Sequence, residues 1–142
     1  MRPVLQSYID SGKVNIVYKH SAFLGQESVW AAQAAECAAD QGKFWEYHDL
    51  LFDKQTGENI GNFTKDNLIA YAKELGLDSA KFDPCLQNDE TLQRVITDTQ
   101  EGRQVGVTGT PTFFINGLAV IGAQPLSVFQ QVIDKELAGE IP

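Results

Sequence analysis

The stretch Gly106-Val-Thr-Gly-Thr-Pro-Thr-Phe-Phe-Ile-Asn-Gly117 constrains this chain more than any other. Thr110 precedes Pro111, and the clash between a proline ring and the residue before it drives that residue out of the helical region. The residues that follow, Thr112, Phe113, Phe114 and Ile115, are β-branched or aromatic, and Asn116-Gly117 is a strong signal for a two-residue hairpin turn. The pattern predicts a strand, a tight turn and a return strand over Leu118-Ala-Val-Ile121. Read locally, Thr110–Pro111 is either a trans bond opening a strand, where the missing N–H is harmless, or one of the small fraction of X-Pro bonds that are cis.

Upstream, Val4, Leu5, Tyr8 and Ile9 recur at helical period and Gly12 stands where a left-handed cap is preferred, so residues 1–10 read as the tail of a helix. Val14-Asn-Ile-Val-Tyr-Lys-His20 is rich in β-branched residues and predicts a strand. Alanines at 31, 32, 34, 35, 38 and 39 predict a closely packed helix over 27–41, and Lys43–Phe52 a second beyond Gly42. Thr64 is placed to cap a helix whose inward stripe is Leu68, Tyr71, Ala72 and Leu75. Asp78 is expected to cap a short helix through Phe82, Cys85 and Leu86, with Pro84 blurring its start. Asp89 is expected to cap the next, along which Leu92, Val95, Ile96 and Thr99 lead toward Gly102 and the proline loop. After the hairpin, Pro125 opens a last helix that buries Val128, Phe129, Val132, Ile133 and Leu137.

Composition narrows the function classes. A chain of 142 residues is long enough for one domain with a core of its own. The net charge of −8, from 11 basic and 19 acidic residues, repels a phosphate backbone and argues against nucleic-acid binding. No apolar run approaches the roughly 20 residues of a membrane-spanning helix, so no membrane insertion is expected, and the first residues lack a signal-peptide core. Cys37 and Cys85 form no Cys-x-x-Cys, and with only His20 and His48 beside them no metal site or cofactor motif can be assembled at recognisable spacing. His20 and His48 read as structural or solvated, Trp30, Phe44 and Trp45 as core, and Glu36 as a solvated helix-face carboxylate whose alternative is to tune a nearby thiol.

The order of elements, together with Ala34-Ala-Glu-Cys-Ala38, Gly42–Phe52, Leu75-Gly-Leu-Asp78, the loop 106–117 and Gly122-Ala-Gln-Pro125, resembles the DsbA-like thiol-disulfide oxidoreductases. The resemblance covers nearly the whole chain. It implies an α/β fold: a thioredoxin-like sheet with an inserted helical subdomain at about 27–105, in a single domain of residues 1–142, but with the first strand missing. It also implies that Thr110–Pro111 is the family's cis-proline pair, which offers backbone hydrogen bonds to an extended peptide. Protein or peptide thiol substrates and an extracytoplasmic location follow from the same likeness.

The family's Cys-x-x-Cys, whose nucleophilic thiolate is acidified by a helix N-terminus, has no counterpart here, so no catalytic cysteine can be assigned and the chain is expected to be an N-terminally truncated form, inactive alone. The missing strand would lie between residues 14–20 and 112–116. Three outcomes are open: direct pairing of the flanking strands, a strand donated by another chain as in a strand-donating homodimer, or a chain that begins upstream of Met1. On the residues alone, Cys37 and Cys85 are either two reduced core cysteines or a structural disulfide. The resemblance favours the disulfide, which would close a loop worth about 4 kcal/mol. The rival function is a non-catalytic peptide-binding or chaperone-like module on the same fold. A glutathione-linked isomerase is weaker, since no glutathione-contact motif is identifiable.

Overall fold

The computed structural model describes residues 2–140, with side chains from Leu5 onward. Seven helices and two strands follow one another in the order α1 (Arg2–Asp10), α2 (Gln26–Ala39), α3 (Phe44–Lys54), α4 (Lys65–Glu74), α5 (Ser79–Gln87), α6 (Leu92–Gln104), β1 (Thr112–Ile115), β2 (Leu118–Ile121) and α7 (Leu126–Ala138). They fall into two compact units, one of residues 19–102 and one of residues 1–18 with 103–142.

The unit of residues 19–102 is helical, with α2 packing against α3, α4 and α5, and α4 against α3 and α5. The alanine-rich face of α2 lets its neighbours approach closely: Ala34, Ala35 and Ala38 are buried beside Tyr47, Leu68, Phe82 and Leu86. The caps are those the sequence offers. Thr64 Oγ1 accepts from Asn67 N–H at the start of α4, and Asp78 Oδ1 accepts from Ala80 N–H at the start of α5. Burial of Tyr47 is complete, and its hydroxyl donates to Leu68 O at 2.8 Å. That burial pushes the Tyr47 phenol far above its ordinary range.

In the other unit, β1 and β2 form an antiparallel hairpin in the register Thr112↔Ile121 to Ile115↔Leu118. Asn116 and Gly117 make the turn with φ of 46° and 95°, the left-handed pair that matches the twist of a two-residue hairpin. Phe113 meets Phe129 of α7 edge-on at 4.8 Å, and the Tyr8 hydroxyl of α1 donates to Asp134 of α7 at 2.9 Å.

Three expectations are corrected. No strand forms over 14–20, and among the described residues the sheet is β1–β2 alone, so the flanking segments do not close on one another. Val14 N–H turns back to Tyr8 O at 3.2 Å, His20 N–H goes to Asp98 Oδ2 at 3.1 Å, and Val17 is 72% exposed. Strand propensity describes how well side chains suit a pleated surface, and without a neighbouring strand it has nothing to act on. Asp89 is not a cap. It adopts φ 55°, its carboxylate pairs with Lys65 at 2.8 Å, and Thr91 O accepts from Arg94 N–H at 3.0 Å and Val95 N–H at 3.3 Å in the opening turn of α6. The Lys65 ammonium, with the Gln33 amide, holds the Asp89 carboxyl below its usual range. Finally, Leu137 is exposed, the apolar stripe of α7 being narrower than periodicity suggests. Val4, read with Leu5, Tyr8 and Ile9 as one apolar face at helical period, lies outside the described side chains.

Candidate functional site

The proline loop is built by local bonds. Thr112 Oγ1 donates to Gly109 O at 2.7 Å, closing the turn before β1, and Gly122 N–H donates to Pro111 O at 2.8 Å, extending the hairpin ladder by one rung. The peptide bond between Thr110 and Pro111 is cis. Both residues are exposed. Among the described residues, neither the N–H nor the C=O of Thr110 has a hydrogen-bond partner. Because ladder bonds alternate along an antiparallel pair and Pro111 already bonds toward β2, the backbone groups of Thr112 and Phe114 face away from β2. The loop therefore presents free backbone donors and acceptors beside an open strand edge, an arrangement suited to pairing with extended polypeptide.

The cysteines lie in the helical unit. Cys37 of α2 and Cys85 of α5 form a disulfide with a Cα–Cα distance of 6.0 Å, and both residues are buried. Thr91 Oγ1 sits 3.9 Å from Cys37 Sγ and donates to Gln33 O at 3.0 Å. Among the described residues there is no free cysteine, hence no thiolate to act as a nucleophile, and no group of His, Cys, Asp and Glu side chains that could hold a metal ion.

Also in the helical unit, a charged cluster surrounds Glu36 that spacing along the chain did not disclose. His20 is buried, not solvated, and its Nε2 lies 2.9 Å from Glu36 Oε1. The other Glu36 oxygen meets Arg94 Nη1 at 3.4 Å, and the same nitrogen donates to Asp40 Oδ1 at 2.7 Å. Glu36 is thus a largely covered bridge, not a solvated helix-face residue: its side chain is 19% exposed. Lys19 donates to Asp98 at 2.7 Å and Glu101 at 3.0 Å, and these two carboxylates, Asp98 first, raise its pKa. A shallow cleft of about 420 Å³ is lined by Glu36, Gln93, Arg94, Thr97 and Asp98. Fifty-eight positions separate Glu36 from Arg94, which is why no motif announces the pair. Phe44 and Trp30 pack against the helical core as expected, while Trp45 stacks edge-on against Phe44 at 5.1 Å and His48 at 5.4 Å.

Known proteins place this geometry in context. The thioredoxin family model matches residues 1–135. The chain is 28% identical over 136 residues to the probable disulfide bond formation protein D of Bacillus cereus, covering 93% of this chain and 62% of that one. It is 37% identical over 109 residues to the Na(+)/H(+) antiporter NhaA 1 of Salinispora arenicola, covering 77% of this chain and 16% of the antiporter. The chain therefore spans about one sixth of the antiporter and under two thirds of the disulfide bond formation protein. Among solved structures, a thioredoxin-like oxidoreductase from Silicibacter pomeroyi aligns at 26% identity with a TM-score of 0.77, over 94% of this chain and 75% of that one. The reduced disulfide bond oxidoreductase DsbG of Mycobacterium tuberculosis aligns at 26% identity with a TM-score of 0.73, over 99% and 69%. The thiol-disulfide exchange protein alpha-DsbA2 of Wolbachia pipientis shares the fold at 24% identity and a TM-score of 0.77, over 94% and 72%. Among the described residues, no helix is long and apolar enough to cross a membrane.

Proposed function

We propose that this chain, which belongs to the thioredoxin family, is the peptide-positioning scaffold of a DsbA-like thiol-disulfide oxidoreductase acting on protein thiols. The observation that carries this reading is the exposed Thr110–Pro111 loop, with unpaired backbone groups beside an open strand edge. In the exchange itself a thiolate attacks one sulfur of a disulfide, the new S–S bond forms as the old one breaks, and the departing sulfur leaves as thiolate. Residues 110–111 would hold the extended peptide while that occurs. The attacking thiolate is not supplied by these 142 residues, which contain no Cys-x-x-Cys. We read residues 19–102 as a helical insertion within one thioredoxin-like domain. An extracytoplasmic location is supported by the Cys37–Cys85 bridge, since such bonds persist in oxidising compartments.

Two assays divide this reading from its rival. In insulin reduction by dithiothreitol, the 142-residue chain is expected to add nothing to the rate of dithiothreitol alone. Turnover above that background would show that the chemistry has been misplaced. Titration with a reduced, alkylated, unfolded protein is expected to shift the amide signals of residues 108–114, and unchanged signals there would remove the loop from substrate binding. The absence of a free thiol among the described residues favours a second reading, a non-catalytic peptide-binding module. Suppressed aggregation of an unfolded client without thiol reagents would favour it. The outer edge of β1 also suits strand donation by a second copy. Light scattering is expected to give twice the chain mass if that occurs, and a monomer at all concentrations would exclude it.

A further inference from the structure

Asn116 and Gly117 close the hairpin that carries the proline loop, and they also stand as the two reactants of a ring closure. Of the six asparagines in the chain, only Asn116 is followed by glycine; the others precede Ile16, Ile60, Phe63, Leu68 and Asp89. Glycine has no side chain to crowd the approach to its amide nitrogen. The Gly117 N–H has no hydrogen-bond partner among the described residues, and both residues of the turn are exposed.

The Asn116 side chain is held from elsewhere in the same unit. Its Nδ2 donates to Glu136 Oε2 of α7 at 2.7 Å. A carboxylate only accepts, so the donor is the amide nitrogen, and a bond of this kind is stronger than one between neutral groups. The atom that α7 holds is thus the one that ring closure would expel.

We propose that Asn116 is a site of spontaneous deamidation, restrained by Glu136, and that its conversion ends the working life of the proline-loop hairpin. The Gly117 nitrogen gives its proton to solvent and attacks Asn116 Cγ. As the N–Cγ bond forms, the Cγ–Nδ2 bond breaks and ammonia leaves with a proton from solvent, so that a five-membered imide remains. Water opens the imide on the side-chain carbonyl to give aspartate, or on the main-chain carbonyl to give isoaspartate. Nothing is oxidised or reduced, and water is the only co-reactant. Closure requires the amide to turn onto the Gly117 nitrogen, and the Glu136 bond opposes that movement.

Either product undoes the turn. Aspartate can only accept where the amide donated, so a hydrogen bond is replaced by two like charges. Isoaspartate also adds a carbon to the main chain between Ile115 and Leu118, which pair across the ladder, and a two-residue turn has no slack for it. Register fixed at the turn is then lost along β1 as far as Thr112, beside Pro111. The reaction needs neither thiol nor substrate, so it stands or falls separately from the function proposed above.

The test follows the intact chain at neutral pH and physiological temperature. Conversion is read by mass spectrometry of the tryptic fragment 104–135, whose only asparagine is Asn116, and by enzymatic methylation of isoaspartate. It is expected at Asn116 and not at the other five asparagines. Glu136→Ala is expected to convert about tenfold faster than the parent, because a charge-assisted bond no longer has to break. Glu136→Gln, which keeps an acceptor without the charge, is expected to fall between the two. The amide signals of residues 112–115 are expected to move in the converted chain. An unmodified Asn116, rates that are equal in the parent and both Glu136 variants, or hairpin signals unchanged by conversion would overturn the proposal.

Discussion

Replacing Cys37 and Cys85 together with alanine is expected to lower stability by about 4 kcal/mol and the Tm by on the order of 10–15 °C. The bridge spans 48 positions, and in the chain-entropy account its chief effect is on the unfolded ensemble, which it prevents from expanding. Alanine is the appropriate substitute because both sites are buried among apolar neighbours, where a serine hydroxyl would need a partner. Dithiothreitol is expected to lower the Tm of the parent chain by a similar amount and leave the double variant unchanged. Urea denaturation should show a larger m-value for the variant, since its unfolded state exposes more surface. If the parent's Tm is the same with and without reductant, the bridge contributes nothing to stability.

Phe82→Ala is expected to cost about 3–5 kcal/mol by a different route. Phe82 is fully buried on α5, and its ring centroid lies 5.5 Å from that of Tyr47, which is itself fully buried. Truncation leaves a cavity between α5 and the Tyr47 ring that the surrounding helices can close only in part. Here the m-value is expected to stay near that of the parent, because the native state is affected and the unfolded ensemble is not. The contrast in m between the two variants separates the two mechanisms even where their Tm values coincide. Since whole domains are stable by only about 5–15 kcal/mol, combining them, for a loss of about 7–9 kcal/mol, should remove a large share of the chain's stability. A fall below about 1 kcal/mol for Phe82→Ala would mean that the core repacks around the gap.

Features decided within a few residues could be read from the sequence. Asn116-Gly117 fixed the hairpin because its left-handed backbone is a local demand, and Thr64 and Asp78 marked helix starts because a capping side chain reaches only two or three residues ahead. Residues 14–20 were misread for the converse reason: a strand is defined by its neighbour, and β-branched composition says nothing about whether one is present. Asp89 was misassigned because its spacing suits a cap, whereas Lys65, 24 positions away, claims its carboxylate. The His20–Glu36–Arg94–Asp40 cluster was likewise invisible, being assembled from three separate stretches of chain. The state of the two cysteines was not decided by spacing, and the likeness to known oxidoreductases favoured the bonded form that the structure contains. The boundaries near residues 18 and 102 became known only from the structure.

Those boundaries also set an order of events during translation. Residues 1–18 leave the ribosome before the partners of their unit, which begin only at Arg103. At about 5–20 residues per second, the intervening residues 19–102 impose a wait on the order of ten seconds. Over that interval the helical unit can complete its own core, while residues 1–18 are still waiting for the hairpin and α7.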